Sequence, residues 1–413
     1  MATVATSLQE VQAGSVTEVQ KPERILSLDV LRGFDMFWIV GGEGIIHTLA
    51  VATGWQFLKM LSVQLDHVAW EGFHFYDLIF PLFLFIVGVV IPYALVSKIE
   101  RGEPKPAIYR KVFTRFLLLF FLGLIYNQGW HRSWAKPFIG SVLGEIGFGY
   151  LFASLIVLHT RQLRSVVIWS ACFLMGVGLI QFLLPVPGFG RGVFTLRSSA
   201  NAYIDRTLNP GDIMFYMSPD GTLYTLDPIL GYRGANNGPK PPSAVPVADG
   251  VGILDWISAT SITLMGVIAG LILRNQWLTP YRKVLSYVAA VVGCLFTALA
   301  LKGWYPIIKM IQTGTFYLLA GGCCFLLLAL FYLVVDVWKI QRWGFFFKVI
   351  GMNAIVLYMG CHLIDVSHTS DVLVGGLAMY LGGYGPVLFS VVTAGLVWTA
   401  GYLLYRMKIF LRV

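Results

Sequence analysis

An all-α polytopic membrane protein is the fold class this sequence predicts: a bundle of about ten transmembrane helices plus a short half-helix, N-in and C-in. Three observations carry that expectation. Charged side chains are 12% of 413 residues, against about 25% in an average soluble domain. Hydrophobic residues are 57%, the mean hydropathy is +0.73, and the apolar residues form repeated runs of membrane-spanning length. Finally, the basic residues collect on one side of an alternating arrangement of those runs. Together these exclude one large water-soluble globule and a disordered chain.

The elements follow in order. Residues 1–22 are polar and lack an apolar core followed by a cleavage site, so they read as a disordered cytoplasmic tail rather than a signal peptide. Residues 23–413 form one transmembrane domain. Its expected spans are roughly 28–50, 74–97, 110–127, 138–159, 165–184, 253–273, 283–302, 313–335, 346–364 and 385–405. Residues 372–381 are apolar but too short to span, and glycines flank them. They read as a half-helix or re-entrant piece, which needs protein or a watery cavity beside it. Between the fifth and sixth spans, residues 185–252 make a long extracytoplasmic loop rich in Pro and Gly, without evident strand-rich structure.

With the N-terminus inside, 20 of the 30 Lys and Arg residues fall on the inner side. The net charge of +9 is thus mostly a topology signal, and no nucleic-acid partner is expected. The five cysteines lie in apolar stretches without CxxC or other metal spacing, so no metal is expected.

Ionisable groups inside spans are costly and are the first functional candidates. The first span holds Asp29, Arg32, Asp35 and Glu43, which share an arc of about 120° at helical spacing. Asp29 and Arg32 are three apart and can pair. Glu43 lies about 21 Å further along by the helical rise and has no neighbour in sequence to pair with. Asp77 begins the second span ahead of Pro81, Glu145 sits in the fourth and Asn353 in the ninth. Six of the seven histidines, His47, His67, His74, His131, His362 and His368, map toward the outer half. His67 has acidic neighbours and stands between two spans, where an imidazole can act as general base near neutral pH.

Several segments resemble a known family. Arg24-Ile-Leu-Ser-Leu-Asp-Val-Leu-Arg-Gly33, His67-Val-Ala-Trp-Glu-Gly72 and Asp77-Leu-Ile-Phe-Pro-Leu-Phe-Leu-Phe-Ile-Val-Gly88 are similar to the heparan-alpha-glucosaminide N-acetyltransferase-like transmembrane acyltransferases, in a bacterial branch often labelled a domain of unknown function. Tyr203-Ile-Asp-Arg206, Leu328-Ala-Leu-Phe-Tyr-Leu-Val-Val-Asp-Val-Trp338 and Gly351-Met-Asn-Ala354 continue the resemblance in order. It implies a ten-helix catalytic core, acetyl transfer from cytosolic acetyl-CoA as co-substrate to an amino sugar or glycan across the membrane, and His67 as the catalytic residue. It also implies a homodimer and a bacterial inner-membrane location. Two positions depart from the family pattern: Glu43 stands where the family has Asn, and Gly144-Glu145 replaces Gln-Arg.

These readings combine into an expected site. His67 is general base or acyl-accepting nucleophile, Glu43 or Asp77 orients it or holds the acceptor, and Asn353 hydrogen-bonds the thioester oxygen. At the inner face, Arg32, Arg110, Lys111, Arg282 and Lys283 are the candidate contacts for CoA phosphates. The alternative is a secondary transporter or glycolipid permease without CoA chemistry, which the intramembrane carboxylates and the discontinuous helix also fit. A membrane scaffold whose long loop binds a partner is a third reading.

Overall fold

The computed structural model describes residues 25–128, 134–225, 235–236, 240–248 and 250–410. The expected disordered tail, Arg24 and His131 lie outside them. Helices dominate, as expected for an all-α membrane protein. They are α1 (Leu26–Thr53), α2 (Gln56–Gln64), α3 (Phe75–Glu100), α4 (Lys105–Gln128), α5 (Val142–His159), α6 (Leu163–Leu183) and α7 (Ala200–Leu208), then α8 (Ile253–Arg274), α9 (Pro280–Leu301), α10 (Gly314–Val337), α11 (Gly344–Met352), α12 (Ala354–Leu363), α13 (Val366–Tyr380) and α14 (Gly382–Arg406).

Among the described residues, eight helices are long and apolar enough to cross a bilayer, and nine if the bent pair α11–α12 is one span. All ten expected segments are helical. The one that adds to these nine is α4, whose first half carries Lys105, Arg110, Lys111 and Arg115. The expected ninth span is broken at Asn353, where α11 and α12 meet at 71°. The expected half-helix is the 15-residue α13, about 22 Å long by the helical rise and so shorter than the hydrocarbon core. It packs on α14, with Thr393 Oγ1 donating to Ser370 Oγ at 2.7 Å.

The bundle inverts the pattern of a soluble protein. α8 is mostly buried, whereas α9 turns Val292, Phe296 and Leu299 outward. Without a hydrophobic drive between helices in lipid, close contact rests on small residues. α1 crosses α11 where Gly33 meets Gly351: a Cβ on Gly33 would lie 1.7 Å from the Phe347 carbonyl oxygen. α3 crosses α8 through Gly88 and Gly266, and a Cβ on Gly266 would lie 2.0 Å from the Phe85 carbonyl oxygen. Gly33, Gly88 and Gly351 all fall in the segments that carry the resemblance, so part of that signal is packing.

The long connection between α6 and α8 contains a structure the sequence did not lead one to expect. Strands β1 (Phe215–Met217), β2 (Leu223–Thr225), β3 (Ala235–Asn236) and β4 (Val245–Ala248) form a sheet of order β3-β2-β1-β4. β1 pairs antiparallel with β2 (Tyr216 opposite Tyr224) and with β4, while β2 and β3 are parallel. Strands of two to four residues give too short an alternation to read, and Pro246 in β4 sits on an edge strand, where a missing donor is tolerated. Phe215 and Met214 pack with Phe138 and Val251 and close this end of the bundle.

The glycine crossings set a stability test. Gly266→Leu should cost at least about 1–3 kcal/mol and lower the thermal midpoint in detergent. Gly293→Ala on α9, whose Cβ meets nothing within 4 Å, should leave it unchanged.

Candidate active site

The site begins with a short loop and a helix start. After α2 the chain runs through residues 65–74 and enters α3 with Asp77 in its first turn. Asp77 is wholly buried and is used on both oxygens. Oδ2 accepts from the backbone N–H of His74 at 3.0 Å and of Val68 at 3.4 Å. Those bonds cap the helix start and fix the loop. Oδ1 accepts the Nδ1–H of His67 at 2.8 Å. That bond sets the tautomer and turns Nε2 of the imidazole away from the carboxylate, which is the arrangement a general base requires.

A second loop closes on the first. Residues 302–313, between α9 and α10, pair with the histidine loop through an antiparallel bridge between Glu71 and Ile308, and Gly72 N–H donates to Ile307 O at 2.9 Å. This pairing brings Lys309 to His67. The ammonium Nζ lies 3.1 Å from Nε2, 2.8 Å from Nδ1 and 3.4 Å from Asp77 Oδ1. The second loop is itself held from behind. Gln181 of α6 donates to Ile311 O at 2.7 Å and to Asn201 Oδ1 at 2.9 Å, Asn201 donates to Asp255 at 2.8 Å, and Tyr305 donates to Gln181. Trp70 Nε1 donates to Phe194 O at 3.0 Å, tying the histidine loop to the α6–α8 connection.

Two cavities meet at this cluster. One, of about 130 Å³, runs between the helices and is lined by Met36 and Ile39 of α1, Phe83 of α3, Ile146 of α5 and the rings of Tyr126 and Tyr358. The other, of about 60 Å³, lies under the sheet and is lined by Met214, Phe215, Gly250, Met310 and Gln312. His67, Lys309, Phe80, Val142 and Val251 line both. A base at the junction of two mostly apolar cavities can serve a group brought into each. Burial and the Lys309 charge push the His67 imidazole down to about 4, against the opposing pull of Asp77 and, more weakly, Asp66. His67 is therefore neutral and able to accept a proton across the physiological range.

The expected site residues separate into groups. His67 and Asp77 are together. Glu43 is one step removed: its carboxylate is hydrogen-bonded to Tyr76, whose ring packs beside the imidazole with centroids 4.8 Å apart. Glu145 is wholly buried and held in the same way, with Tyr317 at 3.2 Å and Gln312 beside it. Glu43 and Glu145 thus each rest on a tyrosine, and neither lines a cavity. Asn353 is not part of the cluster. It occupies the break between α11 and α12, and its amide donates to Ile409 O at 3.1 Å, in the C-terminal segment.

Among the expected CoA contacts, none lines either cavity. Lys283 donates to Leu273 O at 2.6 Å and so satisfies a carbonyl at the end of α8. Lys111 pairs with Glu103 at 2.9 Å. Arg110 and Arg282 are exposed, and Arg32 is half-buried on α1. Sequence reasoning missed Lys309, Tyr76 and the Gln312–Tyr317 pair. For Lys309 a signal existed: it is a lysine flanked by Ile307, Ile308, Met310 and Ile311 in a short connection on the side that positive-inside topology depletes.

Comparison with known proteins then bears on the site. A family profile described as Domain of unknown function (DUF5009) matches residues 24–189, which include His67 and Asp77 but not Lys309. Over 392 residues the chain is 27% identical to heparan-alpha-glucosaminide N-acetyltransferase of Homo sapiens, covering 83% of this chain and 53% of that protein. The chain is a distant relative of an N-acetyltransferase. The protein of the same name from Mus musculus is 26% identical over 84% of this chain and 56% of its own length. This chain thus spans about half the length of the curated relatives it matches. Their names and the apolar helices support the general class of a multi-pass membrane acyltransferase.

Two measurements check this geometry. A titration of histidine-labelled protein should show His67 protonating near pH 4; a midpoint near that of a free imidazole, about 6.5, would mean a wetter, looser site. Asn353→Ala should lower stability by about 1 kcal/mol through the lost hydrogen bond while activity stays within about three-fold, since the residue does not meet the cluster.

Proposed function

We propose that this chain is a transmembrane acyltransferase. It moves an acetyl group from acetyl-CoA, bound from the cytoplasmic side, to an amine or hydroxyl of an amino sugar or glycan on the other side. The observation that carries this reading is the His67–Asp77 dyad placed where two cavities meet. The topology expected from the basic residues puts that junction on the extracytoplasmic side, in a bacterial inner membrane. The names of the relatives supply the reaction class and the acceptor class.

His67 Nε2 takes the proton of the acceptor as it attacks the thioester carbonyl, and Asp77 stabilises the imidazolium that forms. The apolar cavity between the helices suits the acyl–pantetheine end of the donor, and the cavity under the sheet suits the acceptor. Room on both sides of one imidazole favours both substrates being bound together, so transfer is direct rather than by way of an acyl-histidine. At the cytoplasmic face the exposed guanidinium groups of Arg110 and Arg282 are available to phosphate. Arg32, Lys111 and Lys283 have less freedom to serve, being half-buried or engaged. A homodimer remains part of this proposal through the resemblance.

Purified protein in nanodiscs, given radiolabelled acetyl-CoA with glucosamine and, separately, with hydroxylamine as a small general acceptor, should transfer label. Initial-rate plots should intersect, as for a ternary complex. His67→Ala should lower kcat by about 10²–10⁴-fold, the range for a positioned general base. Full activity in that variant would remove His67 from the chemistry, and uptake of glucosamine without any need for CoA would favour a transporter.

A further inference from the structure

The acyltransferase reading assigns a base and the carboxylate that orients it, and leaves unassigned the lysine that touches both. We propose that Lys309 is the oxyanion-stabilising residue of the transfer: its ammonium donates to the thioester carbonyl oxygen as negative charge develops there. The proposal rests on the acyltransferase reading and deepens it.

The geometry points there in three ways. First, Nδ1–H of His67 is committed to Asp77, so Nε2 is the ring nitrogen left to accept a proton. Lys309 Nζ is 3.1 Å from that nitrogen. An attacking nitrogen or oxygen hydrogen-bonded to Nε2 sits about 3 Å from it, with the carbonyl carbon one forming bond further on. The carbonyl oxygen is then within reach of an ammonium that is itself beside Nε2. Second, Lys309 lines both cavities, so it faces the point where groups from the two would react. Third, the lysine is held before any substrate arrives. The Glu71–Ile308 bridge fixes one side of its loop, and the Gln181–Asn201–Asp255 network behind Ile311 fixes the other. A donor fixed in advance at a water-poor site is what makes oxyanion stabilisation effective.

The surrounding charges fit this role. Burial lowers the pKa of the Lys309 ammonium, and Asp77, which touches it at 3.4 Å, is the largest pull in the other direction. Asp66 lies near His67 from its own loop, and Tyr76, backed by Glu43 of α1, covers the imidazole ring. Burial and the neighbouring ammonium together hold His67 neutral, so the same lysine that receives the oxyanion keeps the base free of a proton.

The step balances. The acceptor nitrogen or oxygen forms a bond to the carbonyl carbon and gives its proton to His67 Nε2. The carbonyl π pair moves to oxygen, where Lys309 Nζ–H holds it. When the carbonyl re-forms, the carbon–sulfur bond breaks and the CoA sulfur leaves as thiolate. His67 Nε2–H returns the proton to that sulfur, giving free CoA thiol and the acylated acceptor.

The test uses full-length protein in nanodiscs with acetyl-CoA and hydroxylamine, comparing wild type, Lys309→Met and Lys309→Arg. Lys309→Met should lower kcat by about 10²–10³-fold, as removal of an oxyanion donor does, with the KM for acetyl-CoA changed by less than about three-fold. Lys309→Arg, which keeps a charged donor, should recover part of kcat. In the labelled-histidine titration, Lys309→Met should move the His67 midpoint above its wild-type value, a readout that survives loss of activity. If Lys309→Met keeps kcat within about three-fold of an active wild type, or leaves the His67 midpoint in place, the role of Lys309 is overturned and the acyltransferase reading stands. An acetylated Lys309 found by mass spectrometry during turnover would likewise overturn it, by making the lysine a nucleophile. A folded wild type that transfers to neither acceptor brings down both the reading and this proposal.

Discussion

A carboxylate buried at the start of a membrane helix is the constraint around which the site is arranged. Asp77 has no access to water, so every lone pair it exposes to protein has to be matched. It matches them with the backbone N–H groups of Val68 and His74 in the preceding loop, the imidazole of His67 and the ammonium of Lys309. Three separate pieces of chain are thereby fixed by one group. Removing the carboxylate would leave the loop, the imidazole and a buried cation without their common partner, which is why its contribution cannot be divided among them.

The pairing of two loops converts that local arrangement into a site. His67 and Lys309 are 242 residues apart, yet one backbone bridge between Glu71 and Ile308 makes them neighbours. Behind the bridge a buried run of Gln, Asn, Asp and Tyr side chains ties the loop to α6, α7 and α8. Such a network is stable in a low-dielectric interior when its members are satisfied. Phe215 of the sheet then packs over the second cavity beside the cluster.

Glu43 and Glu145, the two acidic residues expected to depart from the resembled family, are each hydrogen-bonded by a tyrosine. Burial without a partner would cost a carboxylate several kcal/mol; a phenolic hydroxyl reduces that cost without adding charge. Both residues stay behind the cavity walls, and neither touches what enters. An acceptor held by direct ion pairing to Glu43 or Glu145 is therefore not what the geometry favours.

The sequence by itself determined the class and most of the elements. Low charge, long apolar runs and one-sided Lys and Arg mark a polytopic helical protein because a bilayer leaves few other solutions. His67 and Asp77 were legible because they are ten residues apart, joined by a loop, within the segments that resemble the family. Glu43 was legible as an isolated charge, but its partner Tyr76 was not, since a tyrosine at a span's edge is commonplace. Lys309 joins the site through a bridge between distant loops, and no local pattern announces such a pairing. Asn353 looked like a site residue for the same reason that many intramembrane amides do. The structure puts it at a helix break, where the amide satisfies a backbone carbonyl. The small sheet was hidden by the brevity of its strands. What only the tertiary structure decided was which polar groups share a partner, because in a membrane interior that choice is made by three-dimensional satisfaction of buried charge rather than by spacing along the chain.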